Sequence, residues 1–192
     1  MAIIICPGVH NPALTDKFLT CLYEKITNIP NNSNYVNILT LPTDGILPLS
    51  GLHILEFLRS KLKSEETAVI FIGFSAGVVG AIAAAHLWQL QSGHVKAFIA
   101  IDGWGVPLFG NFPIHRISHD YFTHWSSLLL GGGENNFYAD PGVDHLQMWE
   151  NPQAVQGWSV STINSSVRLS AIEFIQKLLN IYNANQTDRS SQ

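Results

Sequence analysis

The sequence predicts an α/β fold, a three-layer α/β/α sandwich around a mostly parallel sheet of five or six strands. Three observations predict it. Short unbroken apolar runs rich in β-branched residues recur at positions 2–6, 68–72 and 95–101, as strands buried on both faces require. Between them stand segments with apolar residues at helical spacing. The two kinds alternate along the chain, an order that builds parallel strands joined by crossover helices.

Taken in order, residues 2–6 read as a strand closed by Pro7-Gly8. Residues 15–29 carry Phe18, Leu19, Leu22 and Ile26 at helical spacing, with Asp16 near the start where it suits the dipole. A polar loop over 30–34 leads to a second strand over 35–41, stopped by Pro42. Residues 50–62 repeat the helical pattern through Leu52, Leu55, Phe57 and Leu58 before the third strand. Residues 78–90 contain Ala81, Ala83, Ala84 and Ala85, strong helix formers. The fourth strand, 95–101, runs into Asp102-Gly103-Trp104. From 106 to 134 the periodicity is poor, with one short helix placed within 118–130 and a flexible loop at Gly131-Gly132-Gly133. A brief fifth strand follows at 136–139, and 161–183 reads as a single amphipathic helix. Residues 1–183 thus make one domain, and 184–192 a solvated, disordered tail.

The totals narrow the function classes. A length of 192 residues suits one substantial domain. With 46% hydrophobic and 12% charged residues, disorder and coiled coil are excluded. A net charge of −4 without a basic block gives nucleic-acid binding no electrostatic support. No basic leader precedes Ile3, and no apolar run is long enough to span a bilayer. Cys6 and Cys21 read as reduced core residues, so a cytoplasmic location is expected.

The chemistry is carried by Gly73-Phe74-Ser75-Ala76-Gly77, which fits G-x-S-x-G between a strand and a small-residue helix. A tight turn there holds the serine hydroxyl clear of the backbone, and the flanking glycines leave room for it. The helix that follows points its N-terminal N–H groups at the serine, where they stabilise developing negative charge. In a parallel sheet the binding crevice lies outside the carboxyl ends of the strands. Those ends carry Gly8-Val9-His10, Ser75, Asp102 and, a little past the fifth strand, His145. Serine needs an adjacent base to become a nucleophile, and histidine suits that task near neutrality. A buried carboxylate fixes the imidazole and stabilises its charged form.

These features resemble a small, lidless α/β-hydrolase of the serine hydrolase superfamily. The glycine loop after the first strand, the elbow around Ser75 and a late loop histidine before the C-terminal helix carry the resemblance. It implies Ser75 as nucleophile, His145 as base, and an oxyanion hole from the backbone N–H groups of Ala76 and Val9. In most members the acid follows the strand after the next one from the nucleophile. No such strand is recognisable here, so the acid is assigned to Asp102, as in some lipase-like members, with Asp120 as its rival. Histidine His10, Phe74 and Trp104 are expected at the pocket for a small-molecule ester or acyl substrate. His115, His119 and His124 lack the His-Glu-x-x-His arrangement, and neither metal nor organic cofactor is expected. The alternative is a non-catalytic pocket for a small ligand on the same fold.

Overall fold

The computed structural model describes residues 1–27, 37–42, 49–62, 67–133, 135–161 and 166–184. Its elements are β1 (Ala2–Cys6), α1 (Pro12–Thr27), β2 (Asn37–Thr40), α2 (Gly51–Lys61), β3 (Val69–Phe74), α3 (Gly77–Leu90) and β4 (Val95–Ile101). Then come β5 (Ile114–Ser118), α4 (Tyr121–Leu128), β6 (Asn135–Ala139), α5 (Gln147–Glu150), β7 (Gln156–Ser161), β8 (Ser166–Ser170) and α6 (Ala171–Ala184). The strands form one sheet in the order β2-β1-β3-β4-β5-β6-β7-β8. The first six run parallel, while β7 and β8 pair antiparallel at one edge.

The expected α/β class holds, but the sheet has eight strands rather than five or six. Three strands lay hidden in the sequence. Strand β5 (Ile-His-Arg-Ile-Ser) falls within the stretch of poor periodicity, because a histidine and an arginine interrupt its apolar run. Strand β7 and its partner β8 are serine-rich and short. The segment expected to be one helix over 161–183 is therefore part of β7, then β8, then α6. Helix α6 starts where Ser170 and Glu173 form a reciprocal cap: the Ser170 N–H donates to Glu173 Oε2 (2.8 Å) and the Glu173 N–H to Ser170 Oγ (3.3 Å). That is a capping box, and its Ser-x-x-Glu signature is present in the sequence. The expected loop at 30–34 and most of the expected tail lie outside the described residues.

Alternation along the strands builds a core on each face of the sheet. On one face Ile3, Ile5, Ile70 and Ile72 pack with Phe18 and Leu22 of α1 and Ile172 and Ile175 of α6. On the other, Ile4 and Phe71 pack with Ile54 and Leu58 of α2 and Ala81, Ala85 and Trp88 of α3. Each such side chain, fully withdrawn from water, stabilises the fold by about 1.5–3 kcal/mol. Because six strands are parallel, the loops after β1, β3, β4, β5 and β6 all emerge at one edge. Strand β1 lies between β2 and β3, so the chain leaves it in one direction and later crosses back over it. The helices that follow β1 and β3 accordingly pack on opposite faces of the sheet, α1 on one and α3 on the other.

The elbow depends on close backbone packing. A Cβ at Gly77 would stand 2.2 Å from the Cys6 carbonyl oxygen and 2.3 Å from that of Pro7. Only glycine lets the first turn of α3 rest on the end of β1. Gly77→Ala must push two backbone segments apart, and we expect it to lower stability by about 1–3 kcal/mol, the usual cost of overpacking, measured as a reduced midpoint in chemical denaturation.

Candidate active site

Ser75 follows β3 with φ 52°, and Asp102 follows the neighbouring β4 with φ 50°. Both are left-handed conformations uncommon for residues with a Cβ. Each is held by the ladder: the Ser75 N–H donates to Ile101 O (2.9 Å) and the Asp102 N–H to Ile117 O (2.8 Å). His145 lies in the loop between β6 and α5. Its Nδ1 lies 2.8 Å from Asp102 Oδ2 and its Nε2 3.0 Å from Ser75 Oγ. A proton on Nδ1, directed to the carboxylate, leaves Nε2 to accept from the Ser75 hydroxyl. The three side chains thus form one hydrogen-bonded relay across residues 70 and 43 positions apart in the chain.

Below the relay is a stack of aromatic rings. Phe74, fully buried, lies parallel to His145 at 4.8 Å between centroids and to Trp149 at 4.9 Å. Trp149 in turn stacks on Phe18 of α1 at 3.8 Å. Phe74 therefore supports the imidazole from beneath and does not line an open pocket. His10 sits edge-on to Phe74, with its Nδ1 3.0 Å from the Asn11 carbonyl oxygen, and is also outside the cleft lining. Of the three residues expected at the pocket, Trp104 alone is part of its wall.

That cleft has a volume of about 580 Å³ and opens above Ser75, Ala76 and His145. Its lining includes the apolar residues Val79, Trp104, Val106 and Phe122 and, among the polar ones, His119 and Asp120. Ala76 begins α3 in helical conformation, and no described residue accepts its N–H. The same holds for Val9, which is largely exposed. The loop bearing Val9 lies against the serine: a Cβ on Gly8 would be 3.0 Å from Ser75 Cβ. Both N–H groups, the donors that the resemblance implies, are thus without an acceptor among the described residues.

Asp120, the rival acid, is committed elsewhere. Its Oδ1 caps α4 by accepting the Thr123 N–H, at 2.6 Å. Burial works against its charge, but the Thr123 hydrogen bonds hold its carboxyl below the usual range. The strand sought in the sequence as the acid's support exists as β5. It ends instead in a residue that composition and motif did not single out for this site, His119. The His119 backbone N–H donates to Asp102 Oδ1 (2.8 Å), and its Nδ1 lies 2.9 Å from Asp102 Oδ2, off the line of a directed hydrogen bond. Contact with that carboxylate holds the His119 imidazole protonated above the ordinary histidine range, partial burial opposing, with the charges of Asp102, Asp120 and Asp144 adding to it.

Asp102, His119 and His145 bring ligand-type atoms within 4.8 Å of one another. A zinc ion bound at 2.0–2.1 Å separates its tetrahedral ligands by ~3.3 Å. Here both Nδ1 atoms stand 2.8–2.9 Å from a single carboxylate oxygen, closer than two ligands of one ion. The other two clustered histidines are turned elsewhere. Both His115 ring nitrogens are engaged, with Asn135 O at 2.8 Å and Tyr182 Oη at 2.7 Å, and His124 is buried in α4.

Arg116 on β5 also escaped sequence reading. It is 2% exposed, and burial lowers its pKa to about 10. Its guanidinium donates to the carbonyls of Gly103, Val106, Leu130 and Gly131. It thus ties the Trp104 wall of the cleft to the glycine run, which is pinned rather than flexible; Asn136 Nδ2 donates to Gly133 O at 2.8 Å as well.

No family model matches the chain, and no curated protein matches it.

Two outcomes follow from these contacts. Arg116→Met takes the charged donor from four carbonyls, and we expect a loss of about 1.5–3 kcal/mol in equilibrium denaturation. The His119 proton gives a pH signature. A group whose pKa is raised by folding contributes stability that is complete below its unfolded value of about 6.5 and is lost as pH rises through the folded value. The stability of wild type relative to His119→Gln should therefore be greater at pH 6 than at pH 9, read from denaturation midpoints at each pH.

Proposed function

We propose that this chain is a serine hydrolase of the α/β-hydrolase type that cleaves an ester or thioester through an acyl-enzyme. The observation that carries the reading is the relay from Ser75 Oγ through His145 to Asp102, at 3.0 and 2.8 Å, on the elbow of a parallel sheet. Ser75 attacks the substrate carbonyl while His145 Nε2 takes its proton. Asp102 stabilises the resulting imidazolium and fixes its orientation. The N–H groups of Ala76 and Val9 receive the oxyanion, each donor worth on the order of 3 kcal/mol. His145 then returns the proton to the leaving group, and water activated by the same base releases the acid. The chemistry as written calls on no cofactor.

The apolar residues of the cleft lining, Val79, Trp104, Val106 and Phe122, support an apolar acyl group. A histidine without a carboxylate partner would favour the alternative, a non-catalytic ligand pocket; the Asp102–His145 contact speaks against it. Two free, buried cysteines support a cytoplasmic enzyme.

The test is intact mass after a fluorophosphonate probe. We expect one adduct on wild type and none on Ser75→Ala, with turnover of an activated ester falling on the order of 10⁶-fold. Asp102→Asn should retain the fold and lose about 10⁴-fold. An unlabelled wild type, or an equally labelled Ser75→Ala, would sink the proposal.

A further inference from the structure

We propose that His119 is a positioning residue that sets the strength of the base: it competes with His145 for the Asp102 carboxylate. The inference rests on the hydrolase reading above and goes beyond the usual three-residue relay.

The Asp102 side chain is 1% exposed, so its charge is felt chiefly by the groups that touch it. Two imidazoles do. His145 Nδ1 stands 2.8 Å and His119 Nδ1 2.9 Å from the same oxygen, Oδ2. The second oxygen, Oδ1, is already occupied by the His119 backbone N–H. The rings meet edge to face with centroids 6.2 Å apart. One buried negative charge therefore serves two groups that can each become positive. The charged and titratable groups facing His119 are Asp102 at the end of β4, Asp120 at the start of α4, and Asp144 and His145 in the loop after β6.

The consequence follows from the order of proton transfer. Catalysis needs His145 to become an imidazolium as Ser75 attacks, and Asp102 stabilises that charge. When His119 is already charged, it neutralises Oδ2 and presents a like charge to His145. The base is then weaker, and the transition state less stabilised. When His119 is neutral, the whole carboxylate acts on His145. Proton uptake by the two rings is coupled, and the steps belong to the pair. The acid limb of the rate profile therefore has two steps: a partial loss as the pair takes up its first proton, and a complete loss as it takes up its second. We expect the first step to be about tenfold, as for a like charge brought close to a titrating group.

The experiment is the rate of fluorophosphonate labelling across pH 5 to 9, which needs no knowledge of the substrate. Wild type should show the two-step limb. His119→Gln, which removes the ring but keeps the backbone N–H on Oδ1, should show one step and label about tenfold faster than wild type on the lower plateau. His119→Lys, a fixed cation, should show one step, displaced to lower pH, with a plateau about tenfold below that of His119→Gln. Titration of the imidazole C–H resonances of wild type by NMR should show two interdependent transitions for these rings, a readout that requires no variant to fold. A wild-type limb with a single step, or one unchanged in His119→Gln, overturns the role of His119 and leaves the hydrolase reading standing. No labelling of wild type at any pH overturns both.

Discussion

The buried carboxylate of Asp102 is the charge around which the loops at the strand ends are arranged. An ionised carboxylate withdrawn from water costs several kcal/mol unless donors replace its hydration. Here the donors come from two loops: the backbone N–H of His119 after β5, whose ring also stands in charge contact with the carboxylate, and the ring of His145 after β6. Neither loop is next to Asp102 in sequence. Satisfying the charge therefore fixes the relative position of three strand ends, and with them the 3.0 Å approach of His145 to Ser75. The structural demand and the chemical one are met by the same contacts.

The neighbouring strand solves the opposite problem. Arg116 is a buried cation with no carboxylate among its described partners, and four backbone carbonyls take its protons. Two of those carbonyls also accept a backbone N–H, Gly103 O from Val106 and Leu130 O from Leu108, so the guanidinium adds a charged donor that joins the two loops. His115, one residue before, points to the other face and is tied to Tyr182 of α6. So β5 carries three polar side chains into the interior (Ser118 is the third), and His115 and Arg116 each hold something outside the strand. An all-apolar strand at this place would pack as well and hold less.

This explains what could be read in the sequence and what could not. The central strands β1, β3 and β4 are apolar on both faces, and their runs were plain. So was the elbow around Ser75, while the carboxyl ends of recognised strands pointed to His145 and to Asp102, with Asp120 left as its rival. Strand β5 was illegible since its buried positions hold His115 and Arg116, whose partners are remote in sequence. With β5 went His119, which no short-range pattern marks. Antiparallel β7 and β8 were read as loop and helix because serines blunt their alternation, although Ser170-Ala171-Ile172-Glu173 announces the true start of α6. Phe74 was read as a pocket residue from its place in the motif, whereas strand alternation sends it into the core under His145.

Backbone strain gives an independent reason to look at the same place. Among the described residues, three that are not glycine have positive φ: Ser75, Ser92 and Asp102. Ser92 follows the end of α3, where a left-handed residue ends many helices and satisfies its last carbonyls; the Ser92 and Gly93 N–H groups do bond back to Gln89 and Trp88. That conformation has a local cause. Ser75 and Asp102 have none of this kind, since each interrupts a chain leaving a strand. Strain of this sort costs about 1–3 kcal/mol per residue, a sizeable share of the 5–15 kcal/mol that typically separates folded from unfolded chains. It persists because the ladder bonds to Ile101 and Ile117 and the close seating of Gly77 on β1 leave the chain no relaxed course. The same sharp turn after two adjacent strands lifts one hydroxyl and one carboxylate to the sheet edge, on either side of a single imidazole. Packing alone would not call for that arrangement twice, whereas a proton relay does.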